Sequence, residues 1–469
     1  MKQTNRKSGQ GMTFDPILVL FAVLVLCAIA TWFVAPGAFD RTEMNGRTIV
    51  VAGSYHEVAR TPINLFDVFR AIPYGLEGAA GMMFLVLIVG GAIEIYNRTG
   101  AIDLGLSRIL RLSNKVGSQF ILIIIMFIFS TIGGMLGWTE QIIPFVPIIV
   151  SLCLALGYDS LVGMAVCAFV DMIGFSVSPT NMYTVAIAHE IAELPMFSGM
   201  AFRILILVVL ELVCWVYILR YAAKVKKNPE LSLMKGIDVS SLRKDFTVYE
   251  SQKMSIPQIL SLVILGVSFI IAIFGLLNLG WGVNELAAAF LMGGILSGII
   301  NRIPALGLVN GLIEGAKSNF SGALIIGVAR SVQWVLTEGG LIDPTINVLS
   351  NALMGLSPVV TVIGIFIAIT LFNGLIASGS GKAMAIMPML IPLADMVGIT
   401  RQTAILAFQF GDGISNTFWF TNGTMLIFFA LAKIPLSKWY KFVVPLEIVL
   451  CAISVVFMVI AVKINYGPF

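Results

Sequence analysis

GDGISNTFWFTNG, Gly411–Gly423, places Asp412, Ser415, Asn416, Thr417, Thr421 and Asn422 inside a long apolar run where a membrane helix would otherwise continue. In hydrocarbon every main-chain polar group must find a partner within the protein, so irregular chain at that depth is tolerated only where it is buried in protein or lines water. A weaker copy, VDMIGFSVSPTNM at Val170–Met182, aligns with it through Asp171/Asp412, Thr180/Thr421 and Asn181/Asn422, each pair 241 positions apart. The rest of the chain reads as scaffolding around these two interruptions.

A length of 469 residues would suit two or three soluble domains, but 58% hydrophobic and 12% charged residues exclude them, as does a mean hydropathy of +0.97. The composition is that of an all-α polytopic membrane protein, with the lipid bilayer as its surroundings. The net charge of +4 bears on orientation and gives no reason to expect a nucleic-acid partner. The five cysteines all fall in apolar segments, and His56 and His189 are too far apart to form a metal cluster. Lys2, Arg6 and Lys7 precede the uncharged stretch Pro16–Val34, which reads as an uncleaved anchor span.

After that span, Asn45-Gly46 between FDRTEM and RTIVVAGSY predicts a small external β-hairpin. A span at 74–97 and an interfacial helix at 101–112 follow. Val116–Gly157 is interrupted by GGMLGWTEQ (133–141), giving either two spans or, as favoured here, one re-entrant helical hairpin with Thr139 and Glu140 at its tip. The interrupted span 160–190, a span at 200–221, a basic linker, and spans at 256–278 and 283–301 complete the first round.

The pattern then returns: LEGAA (76–80) matches IEGAK (313–317), TGAID (99–103) matches GGLID (339–343), Pro147 matches Pro388 and Gly157 matches Gly398. Duplication is the simple account. The expected division is an anchor and ribbon loop (1–72), a first repeat (73–222), a cytoplasmic linker (223–254), two connecting spans (255–303) and a second repeat (304–469). An odd number of crossings between equivalent points makes the two repeats inverted. Basic residues at Arg98, Arg108, Arg111, the linker and Lys433–Lys441 put the N-terminus in the cytoplasm.

Inverted repeats, each with a discontinuous helix, are the architecture of secondary transporters, in which unwound midplane segments face the ligands. Ser415, Asn416, Thr421 and Asn422, with Thr180 of the first copy, offer neutral oxygens that Na+ accepts, and Asp171 and Asp412 are candidates for coupling protons. Ser178, Asn181, Asn416, Thr417 and Asn422 are candidates for substrate contact; the alternative is that they only cap and pack kinked helices. The second hairpin tip, IASGSGKAM (376–384), lacks the spacing of a Walker A loop and instead offers Ser378, Gly379, Ser380, Gly381 and Lys382 to a ligand. Arg330, mid-helix in SGALIIGVARSVQWVL, costs about 2.5–3.5 kcal/mol to insert, so it should have either an acidic partner (Asp171, Asp412 or Glu140) or a substrate carboxylate. His189 and Glu190 are expected at an interfacial end. No grouping for covalent catalysis is present, so no enzyme is expected.

FVAPGAFDR (33–41), GRTIVVAGSYHEV (46–58), IASGSGKAMAIMPMLIPLAD (376–395) and GITRQTAILAFQFGDGISN (398–416) carry a resemblance over nearly the whole chain. The chain resembles the YfcC family of the ion transporter superfamily, related to C4-dicarboxylate anaerobic carriers and arginine/ornithine antiporter-like proteins. The resemblance implies a scaffold and a transport domain, two hairpins meeting two broken helices, and homodimers working by an elevator motion. It also implies that Ser415, Asn416 and Thr417 match a Ser-Asn-Thr motif that helps bind Na+ and carboxylate. The first half departs from that motif with Ser-Pro-Thr-Asn at 178–181. The expectation is a secondary transporter, symporter or antiporter, of a dicarboxylate or an amino acid across the cell (inner) membrane, with no cofactor beyond coupling Na+ or H+. A passive channel or a non-transporting receptor is the alternative from another class.

Overall fold

The computed structural model describes residues 16–44, 47–249, 252–376 and 378–467. Among them nine helices are long and apolar enough to cross a membrane, which makes the chain an integral, multi-pass protein.

Helix α1 (Pro16–Ala30) leads into two short antiparallel ribbons. Strands β1 (Gly37–Ala38) and β4 (His56–Glu57) form one; β2 (Arg41–Met44) and β3 (Arg47–Val50) form the other, with Met44 opposite Arg47. The Asn45-Gly46 turn itself lies outside the described residues. Asp343 holds this region by accepting from the Phe39 amide (3.0 Å) and the Arg41 guanidinium (2.9 Å).

A reciprocal cap between Asn64 and Asp67 starts α2 (Leu65–Gly78). The sequence predicts unbroken helix through this region, but the chain breaks at Ala79 before α3 (Ala80–Arg98). Close approach to a later helix accompanies the break: a Cβ at Gly75 would lie 2.1 Å from Ser331 Oγ. α4 (Ala101–Val116) is amphipathic and longer than expected.

α5 (Ser118–Thr131) passes through a π turn (132–136) to Gly137, whose φ of +64 suits glycine. The chain resumes in a 3-10 turn (140–145) and α6 (Val146–Ala155), so the interruption falls within the stretch read from sequence. Asp159 caps α7 (Ser160–Met164), and a π turn (165–169) joins it to α8 (Val170–Val177). Residues 178–184 are irregular before α9 (Val185–Ile191). α10 (Met200–Lys227) continues past the expected end, and the linker after it is tied back by Lys244 to Asp103 at 2.8 Å.

α11 (Ile256–Asn278) and α12 (Val283–Ile300) precede the 34-residue α13 (Ala305–Glu338). α3 and α13 pack main chain on main chain: a Cβ at Gly315 would lie 2.3 Å from the Gly90 carbonyl. α14 (Ile342–Leu353) and α15 (Pro358–Asn373) follow, then Gly374 and a second tip. Ser378 caps α16 (Gly379–Val397) and Thr400 caps α17 (Arg401–Gly413). A 3-10 turn (414–417) and irregular residues 418–422 separate α17 from α18 (Gly423–Ala432), and α19 (Leu436–Lys463) is the last helix.

α5 packs on α8 and α15 packs on α17, while α16 packs on α17 and α9, so each tip is supported by an interrupted helix. Glycines allow these contacts. A Cβ at Gly133 would meet the Asp171 carbonyl at 2.0 Å, and one at Gly413 would meet Ser176 Cα at 2.3 Å. The two helix breaks therefore lie side by side where α8 meets α17.

Candidate functional site

Both tips, the second break, α8 and α13 surround one cavity of about 390 Å³. Thr139 and Glu140 line it from the first tip, Ser378, Gly379 and Ser380 from the second, and Asn416, Thr421 and Asn422 from the break. α13 contributes Arg330, and the α2–α3 break contributes Gly78 and Ala79. Glycines help the tips reach the cavity in two ways: Gly137 takes a left-handed turn, and Gly379 packs closely, since a Cβ there would approach Asp412 Oδ2 to 3.0 Å.

The second break is held by a hydrogen-bond hub. The Asn373 amide nitrogen donates toward the Asp412 carbonyl (2.8 Å), Ser415 Oγ (2.8 Å) and Asn416 Oδ1 (2.9 Å), and Ser415 itself donates to the Gly411 carbonyl (2.6 Å). Asn422 caps α18 by accepting from the Met425 amide (3.0 Å) and donates to Asn416 Oδ1 (2.9 Å); Thr421 donates to the Gly374 carbonyl (2.8 Å). Polar loop residues thus supply the partners that regular helix would have supplied. Asn422→Ala should lower stability by about 1 kcal/mol through the lost cap. It should also weaken apparent substrate affinity, since the Asn416 side chain loses its tether. Thermal unfolding and liposome uptake check both; unchanged affinity and unchanged ion dependence would leave the break a purely structural one.

Not every candidate faces the cavity. Lys382 is turned behind the second tip, fully buried, with its ammonium 2.6 Å from Asp412 Oδ1 and bonded to Asn373 Oδ1. As placed, it balances a buried carboxylate, and of the two charged tip residues only Glu140 meets the cavity. Gly381 sits in the first turn of α16, donating to Ser378 Oγ. Thr417 donates away from the cavity to Glu447 (2.9 Å), and Ser415 is enclosed by the hub.

In the first break, Ser178, Thr180 and Asn181 also stand outside the cavity wall. Asn181 accepts from the Tyr183 (2.9 Å) and Thr184 (3.2 Å) amides, Thr180 donates to the Met135 carbonyl (2.6 Å), and the Ser178 carbonyl accepts from Gln409 (2.8 Å). The first break instead presents Met172, Phe175 and Tyr183. His189, expected at an interfacial end, is wholly buried between the Phe197 amide and Gln402 because α9 packs against α16 and α17.

Sequence reading missed Gln141, Gln333 and Thr424 in the wall. Gln141 was visible in the first-tip motif, and Thr424 follows Asn422 by two positions. Gln333 lies one turn after Arg330 and accepts its hydrogen bond at 2.7 Å. None of the three acids expected as partners of Arg330 is paired with it among the described residues. Glu140 accepts from Thr139 (2.5 Å) and Thr424 (3.2 Å), so a guanidinium and a carboxylate share one cavity without meeting.

The sequence motifs and this convergence of tips and breaks prompt comparison with known proteins. A family model described as C4-dicarboxylate anaerobic carrier matches residues 15–463. The chain belongs to the C4-dicarboxylate anaerobic carrier family. Within reach of this carrier family, the chain is 30% identical over 467 residues to the Escherichia coli (strain K12) protein named "Putative basic amino acid antiporter YfcC", covering 91% of this chain and 92% of that one. It is 26% identical to an uncharacterized protein of Haemophilus influenzae, covering 95% and 96%. Among solved structures, the Alcanivorax borkumensis YdaH transporter is similar at a TM-score of 0.46 and 15% identity, covering 97% of this chain and 100% of that one. Neisseria gonorrhoeae MtrF is similar at a TM-score of 0.46 and 14% identity, covering 98% of each chain. The chain is thus a multi-pass membrane protein of a transporter family.

Proposed function

We propose that this carrier is a secondary active transporter of an amino acid, basic or zwitterionic, and that the cavity between the two tips is its binding site. The observation that carries the proposal is the unpaired juxtaposition of Arg330 and Glu140 on one cavity. The arginine fork suits an α-carboxylate and the glutamate suits an ammonium, so a zwitterion would satisfy both groups together. Asn416, Asn422 and the second tip fix the remaining polar atoms, and the volume is within the range of small-ligand sites. The basic amino acid named for the Escherichia coli relative agrees with this chemistry.

A C4-dicarboxylate is the second reading. The first residues of α16 and α18, Gly379 and Gly423, line the cavity, and their N-terminal amides would take a second carboxylate. The family description agrees with that substrate.

Around this site we propose the finer architecture: two inverted repeats, re-entrant tips, a homodimer and an elevator motion in the cell (inner) membrane, with the N-terminus cytoplasmic. Na+ at Thr180, Ser415, Asn416, Thr421 and Asn422, or H+, is the proposed coupling ion. Purified protein in liposomes tests the function with labelled dicarboxylates and amino acids. Uptake against a gradient, driven by Na+, pH or counter-substrate, is expected, strongest for arginine or ornithine. Flux that only dissipates gradients would identify a passive channel, and preference for succinate would establish the second reading.

A further inference from the structure

The first break contains a carboxylate that its surroundings leave unbalanced. Asp171, in the first turn of α8, is fully buried, and neither side-chain oxygen has a hydrogen-bond partner among the described residues. No cation is paired with it among the described residues. α5 and the π turn 132–136 contain no ionisable residue, and neither does the 3-10 turn 414–417. α10 presents Glu211, which accepts from Ser130 (2.7 Å) and Trp215 (3.1 Å), and the first tip presents Glu140. Cys167 lies one turn earlier on the same helical segment. Arg203 of α10 is a buried cation with no acidic partner among the described residues, but it stands eight residues from Glu211 along the helix and donates to Gln409, and Asp412 of α17 is held by Lys382.

Asp412 and Asp171 are equivalent by position, yet their circumstances differ. The residue 241 positions before Lys382 is Gln141, so the first half lacks the ammonium that neutralises the aspartate of the second. A lone ionised carboxylate inside a membrane protein is costly enough that the group takes a proton. An aspartate with a built-in ammonium has no such need.

We propose that Asp171 takes up and releases the coupling proton of this carrier, while Asp412, tied to Lys382, is its non-exchanging counterpart. The proposal deepens the transporter reading and rests on it for the coupling step. Met172 and Phe175 of the same helix line the cavity, so Asp171 stands one residue behind its wall. A substrate ammonium arriving at Glu140 supplies the cation this region lacks and makes ionised Asp171 less unfavourable. The proton then leaves Asp171 for water as the cationic substrate binds, and returns as the substrate leaves. That reciprocity is proton/substrate antiport.

The test uses the full chain in liposomes, with L-arginine and succinate as probes and an internal pH dye. An inside-acid gradient of one pH unit should support up to about tenfold accumulation of L-arginine by the wild type. Asp171→Asn should reduce that ratio to about one while arginine/arginine exchange continues. In infrared difference spectra, wild type minus Asp171→Asn, a carbonyl band of a protonated carboxylic acid should appear, because the other buried carboxyls, Glu211 and Glu447, are common to both proteins. Persistence of gradient-driven accumulation in the variant, or absence of that difference band, would overturn the proposal. If the variant does not fold, the wild type still decides: net uptake of L-arginine without counter-movement of protons overturns it. Should the wild type carry neither probe, the transport reading fails, whereas the infrared comparison still decides whether Asp171 holds a proton.

Discussion

Arg330→Ala should raise the apparent KM for a carboxylate substrate by roughly 10- to 150-fold, the equivalent of the about 1.5–3 kcal/mol carried by a hydrogen bond to a charged group. The argument begins with placement. Arg330 lies within a long helix that packs along α3, yet its guanidinium reaches the cavity and bonds only to Gln333 among the described residues. A cation kept there without an acidic partner is expensive in the empty site and rewarding when an anion arrives. Arg330→Lys retains the charge and loses the two-pronged geometry, so it should fall between wild type and alanine. Initial rates of labelled substrate uptake in liposomes measure the effect. Folded alanine variant with wild-type KM would remove Arg330 from the substrate site.

Asp412→Asn should destabilise the protein by about 3–5 kcal/mol, because it leaves the Lys382 ammonium buried without its counter-charge. Both side chains are essentially inaccessible, at 0% and 1% exposure, so water cannot take over the role. Lys382 is also joined to Asn373, whose amide organises Ser415 and Asn416, and the loss should spread into the second break. Converting the pair together, Asp412→Asn with Lys382→Met, should recover much of the stability, since a buried ion pair can be replaced by apolar packing with little loss. Thermal unfolding in detergent separates the cases. Equal unfolding temperatures for wild type and the single variant would mean that the pair does not support the fold.

The membrane class, both interruptions and the two tips could be read from polar residues standing in apolar runs, because hydrocarbon tolerates such residues only for a reason. Arg330 stood out on the same ground. Lys382 did not disclose its direction. One residue along a helix turns a side chain by about 100°, and the same tip that exposes Ser380 to the cavity turns Lys382 toward Asp412. The break at Ala79 was hidden because glycine is common within membrane helices, so the three glycines of YGLEGAAGM did not mark a break there. The burial of His189 was hidden for a different reason: Phe197 is only eight residues on, but its other partner, Gln402, lies on a segment whose approach is set by packing over a long sequence separation.

The glycine contacts at 133 and 413 have a mechanical consequence. Where backbone rests directly on backbone, there are no rotamers to change and no flexible side chains to absorb strain. The π turn, α8 and α17 are joined in this stiff manner, so a displacement imposed at one break is passed to the other almost undiminished. The two walls of the cavity are geared together, and compliance must be sought in the side-chain-lined joints around them.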